Sequence, residues 1–203
     1  MFKRLALLFS PEYRKYVIVA GIFFVIGLAL TGTYATAVDY TNRLEFCAFN
    51  CHEMSVPYEE YKKSKHYQNA YGVRAECPDC HVPHKKWQFT FMAKLGATKD
   101  LFEHLFGHMA HAPDPKAQFE ADRLELAKDV WARMKATDSR ECRNCHSFEA
   151  MMASDQPQRA QVQHAYAQEK GKTCIDCHKG ITHKQLQNLI ETPASSDSFD
   201  VGG

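Results

Sequence analysis

From Val17 to Val38 the chain runs VIVAGIFFVIGLALTGTYATAV without a single charge. Twenty-two residues in a helix reach about 33 Å, enough to cross a hydrocarbon core of about 30 Å. Lys3, Arg4, Arg14 and Lys15 precede the stretch. By the positive-inside rule the N-terminus stays cytoplasmic and everything after Asp39 lies across the membrane. Tyr16 and Tyr34 stand where an aromatic belt is expected. Ala35-Thr36-Ala37 also satisfies the small-x-small rule of a cleavable signal peptide. The apolar stretch, however, outruns the usual h-region of about 7 to 15 residues, so the expectation is an uncleaved anchor over 1–38. Both readings put the remainder outside the cytoplasm.

Past the anchor, apolar residues take up helical spacing in two places. Trp87 to Phe106 (WQFTFMAKLGATKDLFEHLF) carries Phe91, Met92, Leu95, Leu101, Phe102 and Leu105 at helical intervals, interrupted by Gly96. A second helix is predicted from about Ala117 to Ala136, with Phe119, Leu126, Ala127, Val130 and Met134 on one stripe. Pro113 and Pro115 separate the two. The small polar residues of 186–203 read as a loose tail. The expected fold is mainly α, with little or no sheet.

Charge narrows the function classes. Twenty-five Lys and Arg against 24 Asp and Glu give a net charge of +1, with the basic residues scattered among acidic ones. That pattern gives no support for a nucleic-acid partner. No Gly-rich phosphate loop and no Ser-His-Asp arrangement can be read.

The cysteines change the picture. Cys47-x3-Cys51-His52, Cys77-x2-Cys80-His81, Cys142-x2-Cys145-His146 and Cys174-x2-Cys177-His178 use all eight. C-x-x-C-H is the attachment signature of c-type haem. The two thiols bond to the porphyrin and the adjacent imidazole becomes an axial ligand of the iron. Zinc sites and disulfides give no reason for a histidine after every pair. Four covalent haems in 203 residues mark a chain that moves electrons. The first motif departs from the rule by one residue, with Ala48, Phe49 and Asn50 between its thiols.

The part after the anchor is internally duplicated. His52 is followed by His66, then the second motif, then His84; His146 is followed by His164, then the fourth motif, then His183. The matched intervals are 14 and 18, 11 and 10, and 3 and 5 residues. Repetition at matched places singles out His66, His84, His164 and His183 as candidate distal ligands. His104, His108 and His111 have no counterpart and read as a solvated helix end. Three extended residues span about 11 Å, too little chain to round a porphyrin edge. His84 is therefore expected to serve a different haem from His81, and His183, less firmly, a different one from His178. The division expected is an anchor over 1–38, a tetrahaem domain over 39–185, and a tail. Within that domain, dihaem units over about 45–86 and 140–185 are joined by a helical linker over 87–139.

Two questions stay open on the residues alone. Met54, two positions past His52, is either a packing methionine or an iron ligand. Lys94, Lys99 and Asp100, set among apolar residues of the 87–106 helix, suit a quinone site. They equally suit an ordinary helix with a charged face.

EFCAFNCHEM, GVRAECPDCHVPH, ATKDLF, RLELAKDVWARMKATDSRECRNCH and KTCIDCHKGITHK together resemble the NapC/NirT family of membrane-anchored tetrahaem cytochromes, which takes in the shorter NrfH proteins; the NapC-like branch fits best. The resemblance runs from the anchor to about Lys184. It implies a quinol dehydrogenase of the bacterial inner membrane that oxidises menaquinol or ubiquinol and passes electrons to a periplasmic reductase, of nitrate-reductase type. It further implies that the haem at Cys47, Cys51 and His52 accepts the electrons. Met54 matches the methionine that ligates this haem in NrfH, and Lys94, Lys99 and Asp100 match positions near it. The extra residue at 48–50 departs from the family spacing. Motifs do not fix direction, so a quinone reductase fed by a periplasmic dehydrogenase of hydroxylamine-oxidation type is the alternative. Self-association into a homo-oligomer is left open.

Overall fold

A computed structural model describes residues 11–107 and 111–186. Lys3, Arg4, His108 and the tail from 187 onward, all invoked above, lie outside the described residues. Among the described residues there are helices and turns but no strand. Helix α1 (Pro11–Thr41) is longer than its uncharged stretch and buries none of its residues against the rest of the chain. Side chains such as Phe23, Phe24 and Leu30 stand fully outward, as required of a helix whose surroundings are lipid.

Past α1 come α2 (Leu44–Phe49), a 3-10 turn (His52–Met54), α3 (Ser55–Tyr61), α4 (Cys77–His81), α5 (Trp87–Phe106), α6 (Pro115–Ala136), a 3-10 turn (Cys142–Asn144), α7 (Gln158–Glu169) and α8 (Cys174–Cys177). Helix α5 has the expected bounds. Helix α6 begins two residues earlier than expected because Pro115 does not break it but opens it. Asp114 accepts bonds from the Lys116 and Ala117 amides, and proline fits the first turn, where its missing N–H costs nothing.

The stripe of α6 needs one correction. Leu126, expected inward, is exposed, and Arg123 is the buried residue of the helix. Arg123 is held there by charge. It reaches Glu60 of α3 at 2.8 Å and also pairs with Glu120 one turn back, and its guanidinium covers the Phe119 ring at 5.0 Å. Lys184 donates its amide to Glu60 at 2.9 Å, so the end of the described chain is tied to the same carboxylate.

Apolar burial is sparse. Among the described residues the buried apolar set is Leu44, Ala48, Tyr61, Ile175 and Leu186. A domain of this size must remove far more apolar surface from water to offset its ordering entropy. Prosthetic groups must supply the difference.

Candidate functional site

The second and fourth motifs are each built on a short α-helical turn and the third on a 3-10 turn. Residues three apart in a helical turn lie on one face, so this spacing can present both thiols to one porphyrin edge. In the second and fourth motifs the turn is stapled by a reciprocal cap. Asp79 accepts from the Glu76 amide at 2.8 Å and Asp176 from the Thr173 amide at 3.0 Å. The shared aspartate of Cys-Pro-Asp-Cys and Cys-Ile-Asp-Cys is therefore a helix-forming residue. The third motif lacks it and forms a 3-10 turn. The fourth leans on Ser139, fully buried with φ +47°. Ser139 Oγ takes a bond from Thr173 Oγ1 at 2.5 Å and another from the Ile175 amide at 3.1 Å. In the first motif α2 ends between the two cysteines, with Asn50 as its cap. The extra residue is absorbed there, and Cys51 then leads into the 3-10 turn.

None of the eight cysteines is in a disulfide. Thiols of consecutive motifs are neighbours. Cys47 and Cys77 are hydrogen-bonded to each other, Cys80 has Cys142 and Cys145 as electrostatic neighbours, and Cys142 has Cys174.

Three pairs of imidazoles come together among these motifs. Ring centroids are 6.2 Å apart for His81 and His183, 6.3 Å for His66 and His146, and 6.0 Å for His164 and His178. Each pair joins an attachment histidine to one singled out by the duplication, and two of the pairs cross between the repeats. With metal–imidazole bonds of about 2 Å, and ring centres roughly 1.2 Å behind the bonding nitrogen, rings on opposite sides of one metal sit about 6.3 Å apart. Each pair therefore already has the spacing that one iron requires. Protonation favours the same role. Burial, then the facing His183, hold His81 down at about 4. Burial first, then the neighbouring imidazole, lowers His66 and His178, and burial lowers His183. Such rings are neutral at pH 7, the form in which histidine binds a metal. His81 is closely surrounded by protein atoms although the residue as a whole is exposed.

Polar groups aim the distal rings. His164 Nδ1 lies 2.7 Å from Gln156 Oε1, which leaves Nε2 for the facing side. His183 Nδ1 lies 3.9 Å from the Glu60 carboxylate that Arg123 clamps. The Gln156 contact is a hydrogen bond that fixes the orientation of the His164 ring, whereas Glu60 offers His183 a nearby charge without a hydrogen bond. Sequence reasoning missed Glu60, Arg123 and Gln156, which carry no motif. His84 behaves differently from its repeat partner His183. It is exposed, bonded to its own Val82 carbonyl at 3.2 Å, and faces no other ring among the described residues.

The first motif has another environment. Lys94 of α5 comes close to Cys47 and donates from Nζ to the Thr41 carbonyl at 3.2 Å. It thus caps the C-terminus of α1, the negative end of the helix dipole. Burial lowers its pKa, partly offset by Cys47. Lys99 and Asp100, one turn on, are exposed, and no hydrogen bond or ion pair holds either among the described residues. Met54 is half-buried at the start of α3.

His104 corrects an expectation. It is not a solvated helix end, for its Nδ1 sits 2.8 Å from Glu53 Oε1 and both side chains are largely covered. Cys51, Glu53 and His104 bring their ligand-type atoms within 4.8 Å of one another, so α5 is latched to the first motif at a second point. An (i, i+10) match to Lys94, nearly three helical turns on, was the available signal. His111 is exposed as expected.

Comparison with known proteins agrees with this architecture. The family described as NapC/NirT cytochrome c family, N-terminal region, matches residues 11–188. The denitrification system component NirT of Stutzerimonas stutzeri is 46% identical over 191 residues, covering 92% of this chain and 91% of that protein. The cytochrome c-type protein NapC of Escherichia coli K12 is 47% identical over 164 residues, 80% of this chain and 79% of NapC. The cytochrome c-type protein TorY of Escherichia coli O157:H7 is 47% identical over 147 residues, 72% of this chain but 39% of TorY. No solved structure gives a significant match. The chain belongs to the NapC/NirT cytochrome c family: it is a membrane-associated electron-transfer cytochrome with covalently attached haem c.

Proposed function

We propose that this chain is a quinol dehydrogenase of the inner membrane. It takes electrons from menaquinol or ubiquinol beside the first motif and relays them through four haems c to a periplasmic redox protein, of nitrate-reductase type. The observation that carries this reading is the junction of α1, α5 and the first motif at Lys94, which touches Thr41 and neighbours Cys47. A lipid-soluble reductant leaving the bilayer beside α1 meets the first electron acceptor there.

Haem c supplies a one-electron carrier at each motif when bound. The protein's part is to bind quinol and take its protons. A quinol releases two protons with its two electrons, so a base must stand beside it. The exposed Asp100 carboxylate is suited to accept a proton from a quinol hydroxyl. The Lys94 ammonium, partly desolvated, is suited to donate a hydrogen bond to the quinol oxygen. Lys99 adds positive charge to the same turn. The His81–His183, His146–His66 and His178–His164 pairs would hold the second, third and fourth irons from both sides. These irons then have no free position and serve as relays. His52 or Met54 would hold the first iron from one side, and His84 is left without an iron to serve. Arg14 and Lys15 before the span support a periplasmic haem domain. The two dihaem units would be interlocked through their exchanged histidines.

The test is the double variant Lys94→Leu, Asp100→Asn with all four haems confirmed by absorption. Quinol oxidation should fall by about 10²- to 10⁴-fold, the usual worth of a general base, with reduction by dithionite unchanged. A wild-type rate with quinol would remove the site from this helix.

A further inference from the structure

Helix α5 is oriented by fixed landmarks. Lys94 and His104 turn toward the first motif, one near Cys47 and the other on Glu53. Phe91 meets Tyr34 of α1 edge-on, with ring centroids 5.8 Å apart. The positions of the helix that are not exposed are Thr90, Ala93, Lys94, Glu103 and His104, all small or polar. The large apolar side chains point elsewhere. Phe91, Leu95, Phe102 and Phe106 are 40%, 48%, 62% and 65% exposed, and at 100° per residue they fall within about 60° of one another. A helix on a water-soluble domain turns its apolar stripe inward and its polar one outward. This helix does the reverse.

Lys94 and His104 lie about 90° and 170° round the helix from the centre of the stripe, so the first motif they contact sits away from the stripe's middle. What the stripe does adjoin is the membrane span, since Phe91 is part of the stripe and touches the outer end of α1. We propose that α5 lies in the plane of the bilayer interface, its stripe among the acyl chains, as a second membrane contact beside α1. Interfacial helices of this kind bury an apolar face about 5–10 Å below the headgroup boundary. Lys99, at the edge of the stripe, is long enough to carry its ammonium back to the headgroups. Lys85 and Lys86, exposed just ahead of the helix, suit anionic lipid. The inference rests on α1 being a membrane span. It explains how quinol could reach Lys94 and Asp100 sideways from the bilayer without crossing water.

The experiment uses the full haem-loaded chain in nanodiscs of phosphatidylcholine and phosphatidylglycerol containing a phosphatidylcholine with a diazirine on its acyl chain. Photolabelled sites are mapped by peptide mass spectrometry. Labels are expected in α1 and on the Phe91, Leu95, Phe102 and Phe106 side of α5. In the Phe102→Glu, Phe106→Glu variant the α5 label should fall about tenfold or more, from the lost apolar burial, with α1 labelling and haem content unchanged. Labels in α1 alone would overturn the inference and leave the span intact, as would an α5 label indifferent to the two glutamates. Labels in neither helix would overturn the inference together with the span it rests on.

Discussion

The surroundings of the first motif and those of the other three follow opposite designs. Around the second, third and fourth motifs, imidazoles face each other in pairs, with Gln156 and the Glu60–Arg123 ion pair set behind two of the distal rings. Around the first motif stand a partly desolvated lysine, a Glu53–His104 latch and exposed Lys99 and Asp100. On the proposed reading the first design would close both faces of an iron, which suits transfer by contact between carriers. The second would leave ionisable groups beside the entry point, which suits a substrate that brings protons with its electrons. One repeated motif thus serves two purposes, and the difference comes from what the neighbouring helices present.

The sharpest way to break this contrast is to make a closed site open. His183→Ala should convert the second haem from low-spin to high-spin and let it bind carbon monoxide when reduced. Electron flow from quinol to an acceptor beyond it should fall by more than about 100-fold, since even changes to residues that only hydrogen-bond a metal's ligands cost about 10- to 100-fold. If carbon monoxide binds as in wild type, the His81–His183 pair is not an iron axis. Arg123→Ala tests the layer behind it. Losing the cation strands Glu60 in a largely covered position, and removal of one partner of a buried pair typically costs about 3 kcal/mol or more. Thermal melting should show that loss, with the spectrum of the second haem shifted and that of the first unchanged. A uniform change in all haems would mean that the ion pair supports the fold alone. The smallest effect is expected at Ser139→Ala, which deletes the acceptor for Thr173 Oγ1 and the Ile175 amide. Two lost bonds cost about 1–3 kcal/mol, read as a lower melting temperature with every haem potential in place. A shift of the fourth haem's potential would show that Ser139 also sets the position of that porphyrin.

Legibility in the sequence followed the range of the interaction. The α5 boundaries, Trp87 and Phe106, could be read from spacing because helix formation is local, and the same holds for the run that became α1. The capping role of Asp79 and Asp176 was not read from the sequence, although the residue repeats at one place inside two motifs. Leu126 was misjudged because an apolar residue at the right period looks inward until a paired charge, here Arg123, occupies the position instead. His104 looked idle because its partner Glu53 lies 51 residues away. His84 and His183 occupy matched places in the repeat and yet differ, one exposed and one facing a ring. A duplicated sequence does not guarantee duplicated surroundings once the two halves exchange side chains.

By itself the sequence determined the long apolar helix, the four Cys-Cys-His motifs and the extent of α5. All of these depend on residues within a few positions of one another or on uninterrupted apolar length. Only the tertiary structure decided which histidine faces which. His66 and His146 are 80 residues apart, and His81 and His183 are 102 apart. Such pairs depend on how α3, α6 and the fourth motif converge through Glu60, Arg123 and Lys184, which no local pattern encodes. The outward stripe of α5 is decided in the same way. Spacing defines an apolar face, but only the contacts of Lys94, His104 and Phe91 fix the direction in which it points.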